Sequence, residues 1–318
     1  MNDLRLLIIG TNFISDRLCD AVSRVEGISV YAVYSRKIDT GMAFAKKYGI
    51  ERVYDSLETA LADKMIDAVY VASPTFLHST HTIMALREGK HVLCEKSLAS
   101  SYSEALEMRK CAKDSGRVLL EAMRPAFDPA FDLIKSEISR LGVIRRAQLQ
   151  FCKYSSRYDN YKRGIIENAF DPKIKNSALS DIGVYPLWLC IALFGEPKDI
   201  ISDKIFLDNN FLAMGCSVLT YGSMSAIVSY SKITEESEPS FIEGEEGTLF
   251  IDKISEPRSL YVKPRIGEPY YLDYTPSENN MVCELRAFID MIKAKTDYAP
   301  YLDTSLSVMK IADKIHLH

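Results

Sequence analysis

Leu4 to Ile9 is an almost unbroken apolar run that stops at Gly10, the pattern of a central parallel strand covered on both faces. Ile14, Leu18, Val22 and Val25 follow at helical spacing. The alternation then repeats. Ile28 to Tyr34 reads as a strand, Asp39 or Thr40 as the cap of a helix that Gly49 ends, and Asp67 to Ala72 as a further apolar strand. A helix over about residues 76–88 closes at Gly89, His91 to Cys94 is a short buried strand, and Ser101 with Glu104 makes a capping-box signature for a helix ending near Gly116. With Val118 to Leu120, strand and helix alternate about six times, which predicts a doubly wound parallel sheet over residues 1–122.

Pro125 and Pro129 break this rhythm. After a helix over about Pro129 to Arg140, the pattern turns to strands at Val143 to Tyr154, Ile200 to Phe206, Ala213 to Leu219, Ser223 to Ser231, Pro239 to Glu243 and Thr248 to Asp252. In Ser223 to Ser231, Met224, Ala226, Val228 and Tyr230 alternate with residues that leave the other face small and flat, suited to a partner subunit or to solvent. Residues 123–318 therefore read as an α+β domain with a large, mainly antiparallel open sheet. Two terminal helices, with stripes at Leu285, Phe288, Ile289, Ile292 and at Val308, Ile311, Ala312, Ile315, could pack back on the first domain. The fold class is α/β.

Composition narrows the function more than the fold. The 318 residues are 47% hydrophobic and 26% charged, with a net charge of −4 and both signs mixed, which points away from nucleic acid and anionic membranes. The longest apolar run, Leu187 to Phe194, is far short of the ~18 residues that span a bilayer. The first residues carry no basic stretch of the kind that opens a signal peptide. Seven scattered cysteines without C-x-x-C spacing suggest neither disulfide staples nor a metal site, and fit a cytoplasmic location.

Candidate chemistry gathers where the predicted strands run out. Gly10, Ser35-Arg36, Ser73-Pro74-Thr75 and Glu95-Lys96 each follow a different strand, at the edge where such sheets bind dinucleotides. Gly10-Thr11-Asn12-Phe13-Ile14-Ser15 keeps only the first glycine of G-x-G-x-x-G; Asn12 tolerates positive φ, Ser15 is small, and the helix N-terminus offers N–H groups to phosphate. A tight turn without ligand fits the same residues. Arginine at Ser35-Arg36, where NAD sites carry a carboxylate, favours NADP(H) and leaves NAD(H) possible. Lys96 places an ammonium at this edge, although lysines after strands are often only solvated. Asp181 and Tyr185, four apart, would share a helix face, but Pro186 loosens that alignment, and a cap with a core aromatic is the simpler reading. Tyr154 to Arg163 mixes aromatics with polar groups, as a sugar-binding or subunit-contact loop does, and equally as a mobile surface loop.

Together these stretches resemble the Gfo/Idh/MocA oxidoreductases. The marks are the turn at Gly10, Ser35-Arg36, Pro74-Thr75-x-x-His78, Gly89-Lys90-His91-Val92 to Glu95-Lys96, Met123-Arg124, Asp181-x-Gly183-x-Tyr185 and Gly244-Glu245-Glu246-Gly247-Thr248. The resemblance implies a Rossmann domain, NAD(P)-dependent chemistry on sugars, polyols or related compounds, and homodimers or homotetramers formed through the second sheet. By position, Lys96 is its catalytic lysine, Asp181 its acidic site residue and Tyr185 its proton-transfer group, with His78 expected beside the nicotinamide and Glu95 in the cofactor edge. A phenol with a free pKa of ~10 needs a nearby cation to work at neutrality, and Lys96 would supply it. Ser97 stands where the family usually has proline. A cofactor-binding regulator or sensor without turnover is the alternative, with the degraded glycine loop in its favour.

Overall fold

The computed structural model describes residues 3–294 and 296–317. In chain order the first elements are β1 (Leu4–Ile9), α1 (Phe13–Val22), β2 (Ile28–Tyr34), α2 (Ile38–Tyr48), β3 (Arg52–Tyr54), α3 (Leu57–Ala62), β4 (Ala68–Val71), α4 (His78–Arg87), β5 (His91–Glu95), α5 (Tyr102–Ser115) and β6 (Leu119–Ala122). Six parallel strands form a sheet in the order β3-β2-β1-β4-β5-β6. The winding reverses between β1 and β4, and this is the switch point at which open α/β sheets take ligands. The β1 and β4 interior is fully apolar, from Leu6, Leu7 and Ile8 to Val69, Tyr70 and Val71, because helices cover both faces.

Three local expectations change. The N-cap of α2 is Lys37, with no side-chain cap bond; Asp39 lies inside the first turn, where its charge complements the helix dipole instead. Val25 lies beyond α1, which stops at Val22. Strand β3 and helix α3 were not marked by the apolar pattern, since β3 is a three-residue edge strand with only partial burial. The Ser101–Glu104 box is present: Ser101 accepts from the Glu104 N–H at 3.3 Å, and the Glu104 carboxylate reaches back to the Ser100 N–H at 3.0 Å.

The later elements are α6 (Pro129–Ile138), β7 (Ile144–Cys152), α7 (Tyr158–Lys162), α8 (Val184–Phe194), β8 (Asp199–Phe206), β9 (Leu212–Thr220), β10 (Ser225–Ser231), β11 (Ser240–Gly244), β12 (Gly247–Ile251), β13 (Leu260–Pro264), β14 (Tyr270–Tyr271), α9 (Met281–Lys293) and α10 (Ala299–Leu317). Eight strands order as β14-β13-β12-β11-β7-β10-β9-β8. Only β7 with β10 pairs in parallel; the other pairs among the described residues are antiparallel. Period-two alternation sorts the faces. Ala147, Leu149, Ala226, Val228, Tyr230, Ile242 and Leu249 are buried on one, with α8 packed across β7 and β10. On the other, Phe241, Phe250, Tyr261 and Tyr271 form a cross-strand ladder with centroid separations of 6.1, 4.4 and 5.7 Å.

Two compact units result. One comprises Met1–Met123 with Asn279–Leu306; the other comprises Arg124–Glu278 with Ser307–His318. Within the first, α9 lies on α1, and Asn279 fastens the return by donating to the Arg17 carbonyl and the Asp20 carboxylate at 2.9 and 2.8 Å.

Candidate active site

The first unit brings Gly10, Ser35-Arg36, Ser73-Pro74-Thr75 and Glu95-Lys96 to one sheet edge, because parallel strands all end on the same side. Gly10 has φ +105°, and a Cβ there would stand 2.6 Å from the Ala72 carbonyl oxygen. Only glycine lets the β1 turn pass this close to the end of β4, the tight turn that the first glycine of the fingerprint serves. Asn12 departs from expectation. Its φ is −88°, and it serves as the N-cap of α1, accepting from the Ile14 and Ser15 N–H groups at 3.1 and 3.3 Å and donating to the Ala72 carbonyl at 3.0 Å. Those two N–H groups, expected for phosphate, are engaged by the asparagine. Ser15 is buried where the third glycine would be, and its hydroxyl donates to the Gly10 carbonyl at 2.9 Å. Thr11 and Ile14 are half-buried, and Phe13 is exposed beside this turn.

Arg36 is exposed at the end of β2. His81, which the sequence did not single out, lies close by: its Nδ1 meets the Ser73 hydroxyl at 3.0 Å, and its ring meets Tyr34 edge-on at 6.5 Å. Burial first, and then the Arg36 guanidinium, lower the His81 pKa. His81 is one helical turn beyond His78, and that spacing was its only signal.

His78 is 1% exposed, with Nδ1 2.8 Å from the Ser97 carbonyl oxygen and Nε2 2.8 Å from that of Ser73. Burial pulls its pKa down to about 4, and a neutral ring donates to one of the two carbonyls. Its position braces the Ser73 turn against the Lys96–Ser97 turn. Thr75 opens a short 3-10 turn capped by Pro74. Glu95 is buried, accepting from the Tyr70 hydroxyl and from the Lys96 N–H. Lys96 is half-buried at the end of β5. A cavity of about 420 Å³, whose lining includes Lys64, Asp67, Glu88 and Arg117, opens at the opposite, amino edge of this sheet and holds none of these residues.

The second unit holds Asp181 and Tyr185. Residues Leu179–Gly183 form a π-helical turn that runs directly into α8. Pro186 has no N–H for the Ile182 carbonyl, and a wider turn just before it relieves that loss. Gly183 is required by proximity: a Cβ would lie 2.7 Å from the Tyr230 ring. Asp181 is not a cap. It pairs with Lys232 at 2.8 Å, whose side chain is 5% exposed, against 36% for Asp181. Lys232 also donates to the Ala169 carbonyl at 2.6 Å and lies 5.0 and 5.3 Å from the centroids of Phe170 and Phe211. Tyr185 is buried, and its oxygen accepts from Arg124 Nη2 at 3.1 Å; Arg124 also pairs with Glu256. Lys232 was missed because nothing local marks a lysine just past a strand end, between Ser231 and Ile233; Arg124 was noted as a motif residue without a role.

The Tyr154–Arg163 stretch turns its aromatic rings inward and leaves Ser156, Arg157, Lys162 and Arg163 exposed. Tyr158 stacks on Phe170 at 5.6 Å and Tyr161 lies 5.8 Å from it, while the Tyr154 hydroxyl donates to Asp159 at 2.7 Å. Its aromatics pack around the ring cluster beside Lys232.

Comparison with known proteins agrees with the fold. Residues 4–123 match the family described as an oxidoreductase family with an NAD-binding Rossmann fold. The chain is 37% identical over 290 residues to the scyllo-inositol 2-dehydrogenase (NADP(+)) IolU of Bacillus subtilis (strain 168), covering 91% of this chain and 88% of that protein. It is 34% identical to the uncharacterized oxidoreductase YgjR of Escherichia coli (strain K12), covering 98% and 95%. Among solved structures, KijD10, a 3-ketoreductase from Actinomadura kijaniata in complex with NADP and TDP-benzene, superposes with a TM-score of 0.89 at 22% identity over 99% of this chain and 98% of that one.

Proposed function

Since the chain belongs to the Gfo/Idh/MocA family of NAD(P)-binding oxidoreductases, we propose that it interconverts a secondary alcohol and a ketone on a cyclic polyol or sugar, with NADP(H) preferred. The observation that carries this reading is Lys96 at the carboxyl end of β5, on the edge where Gly10 and Arg36 also stand. Support for the substrate class comes from the whole-length relationship to an inositol dehydrogenase whose name specifies NADP(+). Support for NADP(H) comes from the exposed Arg36 guanidinium, suited to a 2′-phosphate.

Gly10, Thr11, Asn12, Phe13, Ile14, Ser35, Arg36, Ser73, Pro74, Thr75, His78, Glu95 and Lys96 would hold the dinucleotide or shape its edge. When bound, the nicotinamide supplies the redox chemistry. Tyr185 Oη is the group that takes or returns the substrate proton, and Arg124, already donating to that oxygen, stabilises the negative charge left there. Lys96 donates to the substrate oxygen. Asp181, held by Lys232, binds a neighbouring hydroxyl. The aromatic ladder on the open face of the second sheet, with exposed Ile201 on the same face at the far edge strand β8, is the surface we assign to a second copy of the chain. Seven cysteines, free among the described residues, accord with a cytoplasmic setting.

Titration with NADPH and NADH, followed by turnover assays over scyllo-inositol, other inositols and simple sugars, tests the proposal. Tighter NADPH binding with turnover of a cyclic polyol is the expected result. Nucleotide binding without turnover of any substrate would favour the sensor reading, which the Asn12 cap at the phosphate turn supports.

A further inference from the structure

On the reading that Lys96 is catalytic, we propose that Glu121 is a positioning residue for it, a buried carboxyl that grips the Lys96–Leu98 turn and changes that grip as it gains or loses a proton. Glu121 lies on β6, paired in register with Cys94 on β5, and is 3% exposed. Its Oε1 accepts the Leu98 N–H at 2.8 Å, two residues past the lysine, and the Ser305 hydroxyl bonds to the same carboxyl. Its Oε2 is buried with no protein partner among the described residues.

An ionised carboxylate with one oxygen unsatisfied is costly in such a place, whereas a protonated one puts its hydrogen on the unpaired atom. The groups that face it act in both directions. Glu95, one residue before Lys96, disfavours the charge; Lys96, Ser305 and the Leu98 N–H favour it; Cys94 is held as a neutral thiol by burial. Burial is the strongest of these influences, and the Glu121 pKa is pushed up to about 7. Near neutrality the carboxyl therefore exists in two forms. Ionised, it makes a charge-assisted bond to Leu98 and attracts the Lys96 ammonium; protonated, it holds the same N–H more weakly. Glu121→Gln keeps an oxygen acceptor for Leu98 and removes the titration.

The sign for stability follows from the raised pKa. The folded chain holds this proton between the ordinary glutamate value of 4.5 and about 7, where the unfolded chain has lost it, so stability falls as pH rises through that window. Two measurements on the full chain test the proposal. In the first, melting temperatures are compared from pH 5 to pH 8: wild type should lose stability relative to Glu121→Gln, and parallel curves would overturn it. In the second, lysines are reductively ¹³C-methylated and the Lys96 signal is assigned by its loss in Lys96→Arg. That signal should show a step near pH 7 in wild type and none in Glu121→Gln; a step missing from wild type, or surviving in the variant, would overturn the coupling. Ser305→Ala, which removes one donor to the carboxyl, should move the step to higher pH. In turnover, the wild-type kcat/KM should rise several-fold between pH 6 and 8 while Glu121→Gln stays flat. The first two readouts need no activity, so absence of turnover would count against the enzymatic reading and leave the Glu121 result standing.

Discussion

The two units assemble their candidate chemistry by different means. In the first, residues from Gly10 to Lys96 share an edge because every strand of a parallel sheet ends on the same side; the topology does the gathering, and no pair of side chains has to find each other. In the second, most neighbouring strands run in opposite directions, so no edge collects their ends. Asp181 instead depends on Lys232, and Tyr185 on Arg124, a partner 61 positions away. A site made by topology should tolerate loss of one side chain without harm to the fold, whereas a site made by pairing should not.

The largest expected effect tests the first half of that statement. Lys96→Met removes the ammonium from a half-buried position at a strand end and leaves the sheet core untouched. Turnover should fall by about 10²–10⁴-fold, the range over which a positioned proton-transfer or charge-stabilising group acts. Its melting temperature and nucleotide affinity should stay close to wild type. Wild-type turnover in this variant would remove Lys96 from the mechanism.

Lys232→Met tests the second half. The lysine is buried against Asp181, the Ala169 carbonyl and two aromatic rings, so the substitution strands an acceptor and breaks an ion pair at once. Because Asp181 keeps partial access to water, the loss should be about 2 kcal/mol, below the range for a fully buried pair. Denaturant unfolding measures it, and adding Asp181→Leu should recover part of the loss. A change under about 0.5 kcal/mol, the size of an ordinary surface substitution, would show that the pair does not hold this region together.

The same contrast explains what the sequence disclosed. The parallel sheet was legible because continuous apolar runs, glycine stops and capping residues are local, and once the strands were placed their shared edge followed. The second sheet was legible as alternating strands, but β13 and β14 were not recognised, and neither was the one parallel pairing of β7 with β10. Side-chain partners drawn from distant strands leave no periodic trace. The Asp181-x-Gly183-x-Tyr185 spacing pointed to a helix face; the π turn before Pro186 came from a missing N–H whose consequence only the folded backbone shows. Asn12 was legible as a lost glycine, while its capping role depended on the Ala72 carbonyl being within reach.

Arg36 offers a smaller effect on the topological side. Its guanidinium is exposed and makes no hydrogen bond or ion pair among the described residues, so Arg36→Ala should leave stability within about 0.5 kcal/mol. Losing a charge-assisted contact to a 2′-phosphate should weaken NADPH binding by about tenfold or more and leave NADH binding nearly unchanged. Fluorescence titration with both nucleotides checks it. Equal losses for the two would move the source of NADP(H) preference away from this strand end.

Asn12→Gly is expected to give the smallest effect, and it bears most directly on the phosphate turn. The asparagine takes the Ile14 and Ser15 N–H groups for itself, and a diphosphate at the start of α1 would have to compete with that cap. Glycine restores the second position of the fingerprint and gives up the side-chain bonds at a cost of only a few tenths of a kcal/mol, since glycine is itself an acceptable N-cap. NADPH affinity should therefore tighten by roughly three- to tenfold while the melting temperature barely moves, an amount equivalent to about one hydrogen bond returned to the ligand. Asn12→Ala separates the two contributions, because it frees the Ile14 N–H in the same way, the Ser15 N–H keeping its 2.9 Å bond to the residue-12 carbonyl, but costs about 1 kcal/mol of capping stability. If affinity rises in both variants while stability falls only in alanine, the cap and the cofactor draw on the same N–H groups. If affinity falls in both, the Asn12 side chain contributes to cofactor binding, and the departure from the glycine pattern is a substitution of one phosphate-turn design for another.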